Sequence, residues 1–504
     1  MCKKLITLIT LACFITTLHG CYETSELPIA KVSRDDDPEI IKLVTVDGET
    51  LDFTGSRGSH AGIRDSVVIG VLSDGKLSRT PLSNVSRVYV TSVNVGATIA
   101  AVIAVPVVLI LVIAATKQSC PFIYSYDGSK YQFDGEPYGG AICEGLKRSD
   151  WSRLPHLRPV DGKYRVLLTN EMNEIQHTDE LRLLVVDHPS GTNVSVDAAG
   201  TFYQYAETLS PLGACDAGGH DIMKWVSKTD DLYWTSSLDA KDPARQADAR
   251  DTLYLTFPKP AGAHTARLVV SGSTTLWGSL MLKRMTEVRG EEVPGWFEQL
   301  RSPVVRGLVD AWDKREEAYQ LQVRVRTGDG WTCRGYILGG GPFVTETRVV
   351  PISLEGVEGE SLLVRLTPPS VFWQLNSFAV EYGDLPAPGF TEIGAVAAVA
   401  DDGTDVMPLL ASVDGMYYDA AVSGRRAELT FPAPAERPGY VRTVFAKTTG
   451  YYDVRMKASG PPQREFLDRI SFEPGFPAWF GLQEYFRFRN GVAESRAGRE
   501  RRPE

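Results

Sequence analysis

Polar and apolar residues alternate in short runs along most of this chain, and two stretches break that rhythm. The first is 96–116, GATIAAVIAVPVVLILVIAAT, with no charge between Arg87 and Lys117. About 20 apolar residues match a bilayer's hydrocarbon thickness of roughly 30 Å. No polar stripe marks a helix resting on a globular core, so a membrane helix is predicted over 95–116. The second stretch is 294–318, where Trp296, Leu300, Val304, Leu308 and Trp312 are spaced by four. That spacing predicts one helix with its apolar face turned into a core.

Everywhere else the period is close to two. In front of the membrane segment, short runs at 40–46, 50–53, 66–72, 77–81 and 85–93 predict five strands. Their order resembles SH3-like or Sm-like barrels, implying a small barrel over 38–94. Behind the segment, Tyr124, Tyr126, Tyr131 and Phe133 alternate with polar residues around Asp127-Gly128, the pattern of a tight hairpin. Further runs at 321–326, 349–354, 362–366 and 372–382 predict more strands, 477–488 a short helix, and the Arg- and Glu-rich end a disordered tail. The fold class expected is mainly β. Its organisation reads as a leader at 1–20, a tether at 21–37, the barrel, the membrane helix, a first β-sandwich region at 117–293, one inserted helix at 294–318, a second sandwich region at 319–470, and a short helix and tail at 471–504.

An internal repeat organises the rear part. Gly219, Asp221, Met223, Asp230 and Tyr233 recur as Gly403, Asp405, Met407, Asp414 and Tyr417, a constant offset of 184. Leu255-Thr256-Phe257-Pro258 then recurs as Leu429-Thr430-Phe431-Pro432, and Arg267 and Val269 align with Arg442 and Val444. Asp, Gly and Pro kept at turns and apolar residues kept on strands indicate a duplicated fold rather than a duplicated site.

Composition changes this picture in three places. Among 504 residues there are 46 glycines, 30 prolines and eight Asp-Gly pairs, which read as turns and reinforce the β assignment. A net charge of −10 argues against a nucleic-acid partner, which requires a concentrated basic face. Beyond Cys21, four cysteines follow the leader: Cys120, Cys143, Cys215 and Cys333. Four allow three pairings in an oxidising compartment, with Cys120–Cys143 the preferred pair and four reduced thiols the alternative.

Lys3 and Lys4, an apolar run to Leu18, and Leu18-His19-Gly20-Cys21 form an export leader. The ending resembles the lipobox of bacterial lipoproteins. That resemblance implies lipid on Cys21, an anchor in the cell membrane or, since Tyr22 is not Asp, the outer membrane. A lipid bilayer is thus the first partner expected, each buried methylene contributing roughly 0.8 kcal/mol. If 96–116 crossed once, the rear part would face the cytoplasm. Its turn-rich sandwich character and even cysteine count instead favour a periplasmic or surface-exposed position.

The stretch Cys120-Pro-Phe-Ile-Tyr-Ser-Tyr-Asp-Gly, followed by Phe133-Asp-Gly-Glu-Pro-Tyr-Gly-Gly-Ala-Ile142, resembles the opening of a family of uncharacterised bacterial lipoproteins and secreted proteins. The resemblance names no activity; Glu136 and its glycines are candidate ligand contacts. The strand order after Tyr319, with Trp331, Pro342, Arg365 and the run 372–380, resembles galactose-binding-like jelly rolls, which implies Trp331 or Trp373 as stacking surfaces for a glycan.

Chemistry is sparse. No HExxH, CxxC, GxSxG or complete P-loop occurs, and Leu77 stands where a P-loop-like run from Gly70 would need a magnesium-binding hydroxyl. His156, His177, His188 and His220 lack ligand spacing. The pairs Asp179-Glu180, Asp230-Asp231 and Glu316-Glu317 read as surface charge. No catalytic residue, metal or cofactor is expected. The function expected is non-catalytic: a membrane-anchored lipoprotein presenting β-sandwich domains for binding or cell-envelope assembly. A glycan-binding surface protein and an envelope hydrolase with an unrecognised carboxylate site are the alternatives; the hydrolase predicts a cleft with converging carboxylates and a raised carboxyl pKa.

Overall fold

The computed structural model describes residues 22–27, 40–53, 61–64, 67–72, 76–93, 121–172, 174–238, 241–383, 385–454, 456 and 459–500. The leader, Cys21, the membrane segment expected at 96–116 and Cys120 lie outside the described residues. Among those described, no helix is long and apolar enough to cross a membrane. The chain forms two compact units, Met1–Ile113 and Ala114–Glu504.

In the first unit, the strands Tyr22–Leu27, Val85–Val93, Ile40–Thr45 and Thr50–Asp52 form one sheet, and Gly62–Arg64, Val67–Val71 and Leu77–Pro81 a second. Ile40, Leu43, Phe53, Ala61 and Val68 form their shared core. Tyr22–Leu27 lies within the stretch expected to be a tether and pairs antiparallel with residues 88–93. Gly70 sits in a hairpin where an added Cβ would lie 2.5 Å from the Ala61 Cβ, so close sheet packing accounts for this glycine.

The second unit is mainly β, built as two sandwiches, one nested inside the other. The outer sandwich pairs Arg148–Arg153, Tyr440–Asp453, Ile175–Pro189 and Thr391–Ile393, with Tyr418–Ala420 joining Ile175–Pro189. Its facing sheet runs Ala397–Ala400, Arg426–Pro432, Lys163–Thr169, Phe122–Tyr126 and Tyr131–Gly135. Val166, Leu168, Leu183, Val185, Leu429 and Phe431 meet between them. All the strands of the inner sandwich fall between Pro189 and Thr391. One sheet orders Phe202–Tyr205, Asn193–Val196, Glu346–Ser353, Thr265–Thr274 and Trp373–Glu381; the other orders Gly213–Asp216, Leu253–Pro258, Ser361–Leu366, Gln320–Thr327 and Gly330–Leu338. The expected tandem order is thus replaced by insertion, because residues 175–189 pair with residues more than 250 positions later.

The repeat is visible atom by atom. Asp221 accepts the Met223 N–H at 2.8 Å and Asp405 the Met407 N–H at 3.0 Å; Asp230 and Asp414 do the same for Leu232 and Met416. Each copy also crosses a β-bulge whose extra residue points at the turn. Asn376 receives the Asp230 N–H, while Asp179 receives the N–H groups of Asp414 and Gly415. Of the seven Asp-Gly glycines among the described residues, six adopt positive φ. Gly135 is the exception: it ends a strand, and an added Cβ would lie 2.7 Å from Ser152.

The single helix expected over 294–318 is two helices, Val293–Gln299 and Pro303–Glu316. Pro303 has no N–H to continue a helix and holds Ser302 extended, at φ −72° and ψ 126°. The turn resets the helical phase, so Leu300 is buried while Val304 and Leu308 face out. Four other helices are described: Met223–Val226, Leu276–Glu287, Arg464–Phe472 and Phe476–Glu500. The last runs on through most of the expected tail, whose Ala, Glu and Arg are strong helix formers.

Two acidic pairs expected on the surface are buried. Asp179 caps its turn and holds the Lys147 ammonium at 2.8 Å. Glu316 and Glu317 close the helix Pro303–Glu316 against Arg250, Arg315 and Arg324. Paired with cations and hydrogen-bonded, a carboxylate tolerates the interior.

Candidate functional site

A cavity of about 1030 Å³ opens in the second unit, walled by the loop after Gly135, the helices Leu276–Glu287 and Pro303–Glu316, and the glycines Gly340 and Gly341. The loop carries the FDGEPYGGAI motif, and the structure gives its residues structural tasks. Asp134 binds the backbone and ring of His156. The Glu136 carboxylate accepts the Phe343 N–H at 3.1 Å, and a Cβ at Gly341 would lie 1.9 Å from Glu136 Oε2, so any larger residue there would displace that carboxylate. Tyr138, fully buried at φ 43°, bonds the Thr178 hydroxyl at 2.9 Å. Gly140, at φ 85°, donates its N–H to the Tyr452 hydroxyl at 3.0 Å. The chain therefore folds back on itself at the junction of the two sandwiches and exposes Gly139, Gly140 and Ile142 to the cavity.

At the inner end, Arg148 donates to the Gly139 carbonyl and to the Tyr319 hydroxyl at 3.3 Å. Its Nε is buried and has no partner among the described residues. Behind it, Arg348 on the inner sandwich bonds Asp150 on the outer sandwich at 2.9 Å and also Glu346. Burial alone would raise the Asp150 carboxyl, but Arg348 and Arg148 outweigh it and hold it below the usual range. Glu346 is pushed up to about 7 by burial, which Arg348 only partly offsets. Asp313, in the cavity wall, is raised to about 6 by burial although it accepts the Tyr319 N–H at 2.7 Å and the Gln320 amide at 3.1 Å.

The helical side of the cavity is apolar, with Leu280, Leu282, Met285, Leu308 and Trp312, and Arg289 lies over the Trp296 ring at 3.9 Å. Six basic side chains line the whole cavity, Lys147, Arg148, Lys283, Arg289, Arg306 and Arg315, against three carboxylates, Glu136, Asp310 and Asp313.

A carboxyl raised in the folded state stabilises the fold fully below its unfolded pKa, and that contribution is lost as pH rises through the folded value. Asp313→Asn is therefore expected to flatten the fall in stability between about pH 4 and about pH 6. Denaturant midpoints measured across that range check it; an unchanged slope would assign the titration to another group.

Of the residues singled out in the sequence, Glu136 lines the cavity. Trp331 is partly exposed on its strand, but Arg365 stands 4.7 Å from its ring and Arg326 5.8 Å. Trp373, expected as a stacking surface, is fully buried with its indole N–H on the Glu317 carbonyl at 3.0 Å. It is a core residue. Cys143, Cys215 and Cys333 are free thiols, and burial pushes the Cys143 thiol up to about 11. Cys215 and Cys333 lie on opposite edges of one five-stranded sheet. Four strand spacings, about 19 Å, separate those edges, far beyond disulfide reach. Among the described residues no group of three or more His, Cys, Asp or Glu is placed to hold a metal ion.

Sequence reading missed Arg148, Asp313, Tyr319 and the helix Leu276–Glu287. Only the helix left a local signal: Thr275 caps it by accepting the Gly278 N–H.

No protein-family model and no curated protein matches this sequence. Among solved structures the chain is similar to a beta-porphyranase of glycoside hydrolase family 86 from the human gut bacterium Bacteroides plebeius, at 10% identity and a TM-score of 0.17, covering 51% of this chain and 39% of that one. A likeness that slight carries no argument about activity.

Proposed function

We propose that this chain is a non-catalytic binding protein for an anionic amphiphile, a molecule with an apolar body and an acidic head, held at a membrane by lipid on Cys21 and the apolar run 96–116. The carrying observation is the cavity wall: an apolar helical side with six basic side chains against three carboxylates, in a chain of net charge −10. The volume stands at the top of the roughly 300–1,000 Å³ range of ligand pockets. Arg148 brings a buried donor without a partner, and a carboxylate or phosphate would complete it with a charge-assisted bond. A glycan fits less well, since the Trp331 face already carries Arg365.

The test is titration of the full chain, in nonionic micelles, with a pyrene-labelled fatty acid and with its methyl ester. Saturable binding that favours the acid is expected. Ser279→Trp, which fills the cavity from its wall, is expected to weaken binding at least about tenfold, or about 1.4 kcal/mol. Equal binding of acid and ester, or of wild type and variant, rules the reading out.

The raised Asp313 carboxyl in the cavity wall favours a second reading, an acid–base hydrolase. Turnover of a bound compound that Asp313→Asn abolishes would establish it.

A further inference from the structure

We propose that the mouth of this cavity docks on an anionic lipid surface and takes its ligand directly from it, an inference that rests on the amphiphile-binding reading above. Phe472, Val304 and Leu308 are 77%, 73% and 67% exposed, the three most exposed large hydrophobic side chains among the described residues. Single exposed apolar residues are ordinary, but a cluster marks an interaction surface. Leu308 and Phe472 both line the cavity, and Val304 stands one turn before Leu308 on the same helix face. The break at Pro303 turned that face away from the core, and among the described residues Val304 and Leu308 stay exposed.

The occupant follows from two features of the rim. Leu308 and Phe472 belong to the cavity wall and to the exposed surface at once, so an acyl chain passes from a bilayer into the cavity along apolar side chains without crossing water. Two exposed cations in the same wall, Arg306 and Arg315, belong to the same helix. Arg306 donates to the Gly145 carbonyl at 3.4 Å, and Arg315 to the Ser471 carbonyl at 2.9 Å and to Glu316. Apolar residues that insert shallowly beside basic ones that meet acidic headgroups are the chemistry of interfacial binding.

The experiment uses the full chain in phosphatidylcholine vesicles containing phosphatidylglycerol with a photoactivatable acyl chain. Wild-type protein is expected to crosslink within residues 303–316 and 464–475, and to take up the pyrene fatty acid from the vesicles. Val304→Glu introduces an anion at the rim without touching the cavity wall, and an acid in the first turn suits the helix dipole. It is expected to slow uptake from vesicles about tenfold and to leave binding in micelles unchanged. Crosslinks absent from both segments, with micelle binding intact, would overturn the docking surface and leave the amphiphile reading standing. A dimer in sedimentation that Val304→Glu dissociates would likewise overturn it, assigning the rim to a second copy of this chain. Absence of binding in micelles would overturn both.

Discussion

Replacing Arg348 by Met is expected to cost about 3–5 kcal/mol of stability, the cost of removing one partner from a buried ionic cluster. Arg348 is buried, joining Asp150 on the outer sandwich to Glu346 on the inner one. Methionine fills similar space but leaves two carboxylates in a dry interior, with Arg148 the remaining nearby cation. Asp150 is ionised in the folded protein because Arg348 holds it so, and Glu346 titrates near 7 because burial opposes its charge. The variant is therefore expected to recover stability as pH falls and these carboxyls take up protons. The measurement is the denaturant midpoint of the rear unit, followed by tryptophan fluorescence at pH 5 and pH 7. Arg348→Lys, one ammonium for two carboxylates, should lose less. A loss below about 1 kcal/mol would mean that water reaches the cluster and screens it as at a surface.

Trp373→Ala is expected to be as damaging, at about 3–5 kcal/mol, since the indole is fully enclosed and a large cavity would remain. It would also leave the Glu317 carbonyl without the Trp373 N–H. Trp331→Ala removes a ring on a partly exposed strand, with Arg365 4.7 Å from it, and should cost about 1 kcal/mol or less. Parallel unfolding of the two variants separates them. Equal losses would show that the Trp331 ring is part of a core after all.

The asymmetry between these tryptophans shows how a sequence signal fails. Both sit on strands of alternating pattern, and nothing local tells a buried indole from a half-covered one. The acidic pairs fail similarly. Glu316-Glu317 looks like surface charge until Arg250 and Arg324, distant or on a later strand, close over it. The helical stripe at 296–312 failed for a local reason that was visible: Pro303 interrupts it.

The duplicated turns are the opposite case. An Asp two residues before a hydrophobic, with a Gly two residues before that, fixes an Asx turn by its own hydrogen bonds, so Asp221 and Asp405 announce the same geometry in the sequence. The strands that complete each copy share no such signal. Residues 175–189 and 373–381 are equivalent because each bulges at the residue that caps the turn, Asp179 in one and Asn376 in the other. In one copy the carboxylate takes the Lys147 ammonium; in the other the amide donates to the Leu232 carbonyl.

By itself, the sequence determined the strand content, the hairpin turns and the repeat, because two-residue periodicity and turn chemistry are set by neighbours in the chain. Tertiary structure alone decided which strands pair, that one sandwich is inserted in the other, and that a motif loop, a split helix and Arg148 meet around one cavity. Those outcomes depend on partners up to hundreds of residues apart, which local pattern does not encode.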